Sequence, residues 1–557
     1  MSNVSSQRVK PPPTKADKSK LARLMTVFLS KGRRLVARHK LPLIARRACR
    51  LYLDDQDATV QQQCRQVLKS SWQLNPKQLK KFLNTTIGKA LLDWVKQFFR
   101  WSQQQDPHQT LAQLILQMAA DPDGLSLLSA SRHYPEVLKF NPDYLLFTVK
   151  RMEWLLKTTR MLVVEVASLA AAEATQSPQP FSQLPDFRRS GKFAVHRRMM
   201  TLEGRKVAHG SQAPSHPLEV RCFAPSPWPD QPVPLIVQSH GLASTLADIQ
   251  LYAAHLASHG YCVMLPRHPG SDVHQIRRLL QGDANEVFEQ SEFLDRPADI
   301  SYLLDVLSQG TDPVWRNRLN LEQVGIIGHS FGAYTALALA GARIHFEGLE
   351  KVCGLPDQDP NPSLLLQCQA LTLPRQPYQL QDHRVKAVLL LDAVGSEIFG
   401  AQGLGPIHVP VMLVAGSHDM TAPLVLEQMR IFRRLPTERS YFALIHGKSH
   451  LRSMHEFMQS LELDRESSWE TQPEPTSEPL EEVTETVGNP IEQTIQALSV
   501  AFFEAYLSSE STPSAYLTAA YGQYLSQSPH ECWLISDRSR PALEKQLQIM
   551  DEEYLAV

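Results

Sequence analysis

Val324-Gly325-Ile326-Ile327-Gly328-His329-Ser330-Phe331-Gly332 is the stretch that decides the fold. Its apolar first half reads as a buried strand, and the small and aliphatic residues from Ala333 to Ala342 read as a helix. Between them, Gly328-His329-Ser330-Phe331-Gly332 has the G-x-S-x-G spacing of a nucleophile elbow. Such a turn holds its serine in a strained conformation with the hydroxyl projecting from the sheet. Strand and helix cross too closely there for a Cβ two residues either side of the serine, and Gly328 and Gly332 meet that demand.

Working outward, strand-like runs occur at 193–202, 218–223, 233–238, 261–265, 324–327, 385–391, 411–414 and 441–445. Helix-like stretches near 246–258, 296–307, 333–342 and 422–433 separate most of them. This alternation predicts an α/β-hydrolase fold, a mostly parallel eight-stranded sheet with helices on both faces, over residues 186–460. Upstream, residues 51–175 read as a helical accessory domain, with Ile87, Leu91, Trp94, Val95 and Phe98 as one buried face. A Ser/Gln/Pro-rich linker at 176–185 joins the two. Residues 461–490 read as an acidic linker, 491–530 as a helical segment docking on the hydrolase domain, and 531–557 as a tail.

The bulk numbers exclude some classes. The chain has 557 residues, with 57 Lys and Arg against 57 Asp and Glu, so nothing in the charge balance calls for nucleic acid. Seven cysteines lack C-x-x-C spacing, and their odd number favours a reducing compartment, although Cys353 and Cys368 share one insertion and could bridge after export. Residues 1–50 form a basic arm whose apolar run, Leu24 to Leu29, is too short for a signal-peptide core. The most apolar candidate span, Met161 to Ala172, is short and contains Glu165. A cytoplasmic protein is expected. Peripheral contact of the arm with an anionic membrane is an alternative to a solvated arm.

A serine needs a base, and the base an orienting acid. In this fold the chain order is Ser, acid, His. His450 follows the last strand-like run in Ile445-His446-Gly447-Lys448-Ser449-His450, with His446 the runner-up. Two aspartates follow strands: Asp419 after the next-to-last one, preferred on that ground, and Asp392 as the alternative. His455-Glu456 lacks the second histidine of a metalloprotease, and no metal or cofactor is expected. An oxyanion requires two N–H donors. Phe331, directly after the nucleophile, supplies one, and Leu242 in Ser239-His240-Gly241-Leu242 supplies the other.

Taken with His268-Pro269-Gly270-Ser271-Asp272, Phe293-Leu294-Asp295-Arg296-Pro297 and Gly416-Ser417-His418-Asp419, these motifs resemble bacterial α/β-hydrolases labelled predicted dienelactone hydrolases, which are similar to platelet-activating-factor acetylhydrolases. The resemblance spans about Leu51 to Leu507, and 74–95 with 119–128 resemble the N-terminal domain that accompanies many members. It implies ester hydrolysis through Ser330, His450 and an acid at either Asp392 or Asp419. Dienelactone hydrolases proper use a cysteine nucleophile, from which this chain departs.

The expectation is a serine esterase acting on lipid or short-chain acyl esters. The alternatives are a thioesterase or acyltransferase with the same triad, or a non-catalytic scaffold. The insertion at 343–384, with Leu364-Leu365-Leu366, is a candidate lid. Oligomeric state is not legible.

Overall fold

The computed structural model describes residues 65–66, 70–101, 106–133, 139–176, 179–203, 217–354, 360–436, 438–450, 481–482, 488–508 and 514–555. The basic arm, His455-Glu456 and most of the acidic linker lie outside them. The chain forms two compact units: one is 1–154 with 280–285, and the larger is 155–279 with 286–556.

The smaller unit is helical. Its helices α1 (Pro76–Asn84), α2 (Thr86–Lys96), α3 (Pro107–Ala119) and α4 (Leu127–His133) precede α5 (Pro142–Gln176), which begins in this unit and ends in the larger one. Asn75, Thr85 and Asp106 cap the first three by accepting from backbone N–H groups, and proline opens α1 and α3. Leu83, Leu92 and Leu111 make the core, with Phe82, Val95, Phe99 and Trp101 packed on it. The face differs from expectation, since Leu91, Val95 and Phe98 are only half-buried. Ile87 is buried, but Trp94 is among the exposed large apolar side chains, because Leu92 and not Trp94 points into the bundle.

The larger unit is built on one sheet: β1 (Ala194–Leu202), β2 (Leu218–Ser226), β3 (Val233–Ser239), β4 (Cys262–Pro266), β5 (Leu319–His329), β6 (Val385–Leu391), β7 (Val411–Gly416), β8 (Ser440–Ile445), β9 (Glu481–Glu482) and β10 (Cys532–Ser536). The spatial order is β9-β1-β2-β4-β3-β5-β6-β7-β8-β10. Strands β4, β3, β5, β6, β7 and β8 run parallel, while β1, β2, β9 and β10 pair antiparallel at the flanks. All eight expected strands are present, and two more extend the sheet to ten. The parallel strands are apolar nearly throughout, as strands covered on both faces must be.

The covering helices are α6 (Gln250–Ser258), α7 (Val273–Gln281), α8 (Glu292–Ser308), α9 (Phe331–Leu339), α10 (Phe346–Cys353), α11 (Leu364–Gln367), α12 (Ser396–Leu404), α13 (Gln428–Arg434), α14 (Pro490–Leu507), α15 (Ala519–Leu525) and α16 (Arg540–Leu555). Helix α14 opens on a capping box of Asn489 and Glu492 and buries Ile495, Leu498, Phe502 and Phe503 in the core of the sheet. The expected tail is part of the domain: Cys532, Leu534 and Ile535 are buried where β10 zips against β8. Nor is 176–185 a free connection, since Phe181 is buried against Tyr516 and Tyr521.

The insertion is not a loose apolar flap. Leu364 and Leu366 are buried, and Cys353 is disulfide-bonded to Cys368. The buried Glu427 carboxylate accepts from Asn361 Nδ2 at 2.7 Å and Ser363 Oγ at 2.5 Å on the insertion, and from Ser396 N at 3.0 Å beside it. Gln367 Oε1 in turn accepts from the amides of Glu397 and Ile398, both at 2.9 Å. The segment expected as a lid is therefore pinned to the chain just after β6. Among the described residues, no helix is long and apolar enough to cross a membrane.

Candidate active site

Because β3, β5, β6, β7 and β8 are parallel, their carboxyl ends share one edge, and ligands of open α/β sheets bind at that edge. The chain reverses its order there, since β4 lies on one side of β3 and β5 on the other.

Ser330 stands between β5 and α9 at φ 55°, ψ −114°, a conformation that costs a non-glycine residue energy and that the flanking elements impose. A Cβ on Gly328 would lie 2.2 Å from Gly332 O, and one on Gly332 would lie 1.9 Å from Ser239 O. Both are backbone collisions, so the two glycines are required for this crossing. Ser330 N–H donates to Leu391 O at 2.9 Å, which ties the turn to β6.

His450 and Asp419 are brought together. Nδ1 of His450 lies 2.9 Å from Asp419 Oδ2, and the other oxygen, Oδ1, accepts from the amides of Thr421 and Ala422, each at 2.9 Å. A carboxylate can only accept, so Nδ1–H donates and Nε2 keeps its lone pair. Burial depresses the imidazolium, but the hydrogen bond and charge of Asp419, with the charge of Asp392, outweigh it and hold His450 above the ordinary histidine value. Among the described residues, neither the Ser330 hydroxyl nor His450 Nε2 makes a hydrogen bond.

Asp392, the alternative acid, is engaged elsewhere. It sits at φ 48° after β6, fully buried, with Lys448 Nζ on both of its oxygens, 2.6 Å from Oδ1. Burial raises its carboxyl above the usual range, and the Lys448 ammonium pulls the other way. Ligand atoms of His329, Asp392 and His450 lie within 4.8 Å of one another, but the positive charge at that point is Lys448. His329 packs between His450, at 4.9 Å between ring centres, and Gly241, whose added Cβ would meet Nδ1 at 2.9 Å. Burial, then the charges of His450 and Lys448, keep it neutral. His446 is turned away, its ring against His418 and Trp533.

The amides of Leu242 and Phe331 carry no hydrogen bond among the described residues, whereas the neighbouring Ala243 N–H donates to Ser271 O at 2.8 Å. Ser239, at the end of β3, pairs in register with Gly328, so the two loops start side by side. Sequence reasoning missed what lies beneath this loop. Ser239 Oγ, His268 and Asp299 form a continuous hydrogen-bonded Ser-His-Asp chain, with 3.1 Å to Nε2 and 2.7 Å from Nδ1. All three are at most 1% exposed, so the chain braces the loop and cannot meet a substrate. Lys448 also escaped, because a lysine in a loop reads as solvated.

A family model described as alpha/beta hydrolase of unknown function (DUF1400) matches residues 45–141. The match lies upstream of the elbow and includes 74–95 and 119–128. The larger unit has the α/β-hydrolase fold. No curated protein matches the chain.

Proposed function

We propose that the protein is a serine hydrolase that cleaves carboxylic esters. One observation carries this reading: the strained Ser330 shares a sheet edge with a histidine whose Nδ1 is already committed to a buried carboxylate. Ser330 Oγ attacks the ester carbonyl and its proton passes to His450 Nε2. The oxyanion is met by the free N–H groups of Leu242 and Phe331. His450 then gives the proton to the departing alkoxide, leaving an acyl-enzyme. Water attacks the acyl carbon, His450 takes a proton from it, and the acid leaves as the proton returns to Ser330. Asp419 holds the tautomer that each transfer needs.

For substrate, lipid or short-chain acyl esters are favoured, on the resemblance to acetylhydrolases. The test is fluorophosphonate labelling, together with turnover of p-nitrophenyl esters and phospholipids of graded acyl length, on wild type and Ser330→Ala. Labelling and turnover are expected in wild type only. A wild type that neither labels nor hydrolyses any of these esters would refute the reading.

A further inference from the structure

We infer that Arg296 is the positioning residue of the oxyanion hole, clamping the Ser239–Leu242 loop and the Phe331 side chain with one guanidinium; this rests on the esterase reading above. Arg296 lies on α8 and is wholly buried. Its Nη1 donates to His240 O at 2.7 Å, Nη2 to Gly241 O at 3.4 Å, and Nε to Ser271 Oγ at 2.9 Å. Its Cζ lies 4.3 Å from the centre of the Phe331 ring. Thus both residues whose amides face the oxyanion are held by the same side chain, one through its preceding carbonyl and the other through its ring.

The backbone makes this consequential. Gly241 C=O and Leu242 N–H belong to one planar trans peptide, so they point in opposite directions. Fixing the carbonyl fixes the amide. Gly241 O accepts from Arg296, from Ser244 N at 3.4 Å and from His240 Nδ1 at 2.8 Å, while His240 Nε2 accepts from His268 N at 3.1 Å. Burial and the nearby guanidinium hold His240 neutral, with its pKa down at about 3, so it serves as this one-donor, one-acceptor brace. Turning Leu242 N–H away would break the bonds at Gly241 O together.

On the other side, α8 also supports the elbow helix. Pro297 has no N–H to give Phe293 O, and that carbonyl accepts from Tyr334 Oη at 2.8 Å instead. The Phe293 ring packs edge-on against Phe331 and Tyr334. Buried Glu292 supplies countercharge, 3.3 Å from Arg296 Nε.

Arg296→Lys tests the inference, because an ammonium keeps the charge beside Glu292 but cannot bond two carbonyls and Ser271 while stacking on a ring. Rates are taken per Ser330 titrated with fluorophosphonate, so that loss of folded protein does not count. Expected are a fall in kcat of about 10- to 100-fold with KM held within about twofold, and an equal loss of affinity for a trifluoromethyl ketone that forms the tetrahedral adduct. Amide exchange in the peptide containing Leu242 is expected to quicken. Ser271→Ala, which removes the Ser271 Oγ acceptor of Nε and that hydroxyl's bond to Glu292 but leaves both carbonyl bonds of Arg296 in place, should move all three readouts the same way by less, and it carries the test if the lysine variant does not fold. Unchanged kcat and ketone affinity in the folded variant, or a rise in KM alone, would overturn the clamp. A wild type without labelling or turnover removes the esterase reading, and exchange then decides the clamp: an unaltered rate at Leu242 in the variants overturns it.

Discussion

Two aspartates stand at strand ends near His450, and exchanging each for asparagine should have opposite kinds of effect. In Asp419→Asn the side-chain oxygen keeps its place on the amides of Thr421 and Ala422, so the fold is little disturbed. The new NH₂ then faces His450 Nδ1, 2.9 Å away in the wild type. The imidazole must present a lone pair there, which moves its proton to Nε2 and leaves no base for Ser330. A fall in kcat of roughly 10³–10⁴-fold is expected, about 4–5.5 kcal/mol of barrier. Asp392→Asn acts otherwise. Asparagine tolerates the left-handed backbone at φ 48°, but the variant strands the buried Lys448 ammonium, at about 3–5 kcal/mol of stability. Asp392 reaches His450 only through its field, so kcat should drop less than about tenfold. Ester turnover and urea unfolding of both variants decide the matter. If a folded Asp392→Asn lost 10³-fold or more while Asp419→Asn lost less than about tenfold, the assignment of the acid would be wrong.

Because turnover needs neutral His450 and its pKa is raised, activity should climb with pH along a limb whose midpoint lies above the ordinary histidine value of about 6.5. The folded enzyme binds that proton more tightly than the unfolded chain does. The stability this gives is therefore full below about pH 6.5 and is lost as pH rises through the folded value. In Asp419→Asn the residual activity should have its midpoint shifted downward. Lys448→Met leaves the Asp392 carboxylate buried without its partner, and should cost about 3–5 kcal/mol. The double variant Asp392→Asn with Lys448→Met should recover much of that in urea melts, a coupling that an exposed pair would not show. Gly332→Ala drives a Cβ into Ser239 O, so it should destabilise by the upper end of about 1–3 kcal/mol or beyond and abolish fluorophosphonate labelling. Labelling at the wild-type rate would mean the elbow is looser than its geometry states.

What was legible in the sequence was whatever local sterics dictate. Gly328 and Gly332 announced the crossing because no other residue fits there, and buried parallel strands announced themselves as apolar runs. Strand β10 was missed because Cys532–Ser536 is only five residues long at an edge; only its pairing with β8 makes it a strand. Trp94 was misplaced because helical spacing marks a face without saying which neighbour fills it. The choice between Asp392 and Asp419 was harder for a different reason. Both occupy equivalent strand ends, and the deciding residue is Lys448, which sits two positions before His450 on the same loop. A buried ammonium on one aspartate leaves the other for the imidazole, and lysine in a loop gives no local sign of burial. The same blindness hid the role proposed for Arg296, which the sequence shows only as part of the Phe293–Pro297 motif. Charged side chains that act from inside the protein are specified by their partners and not by their neighbours in the chain, so the residues proposed to carry the chemistry stand out in the sequence and those proposed to aim them do not.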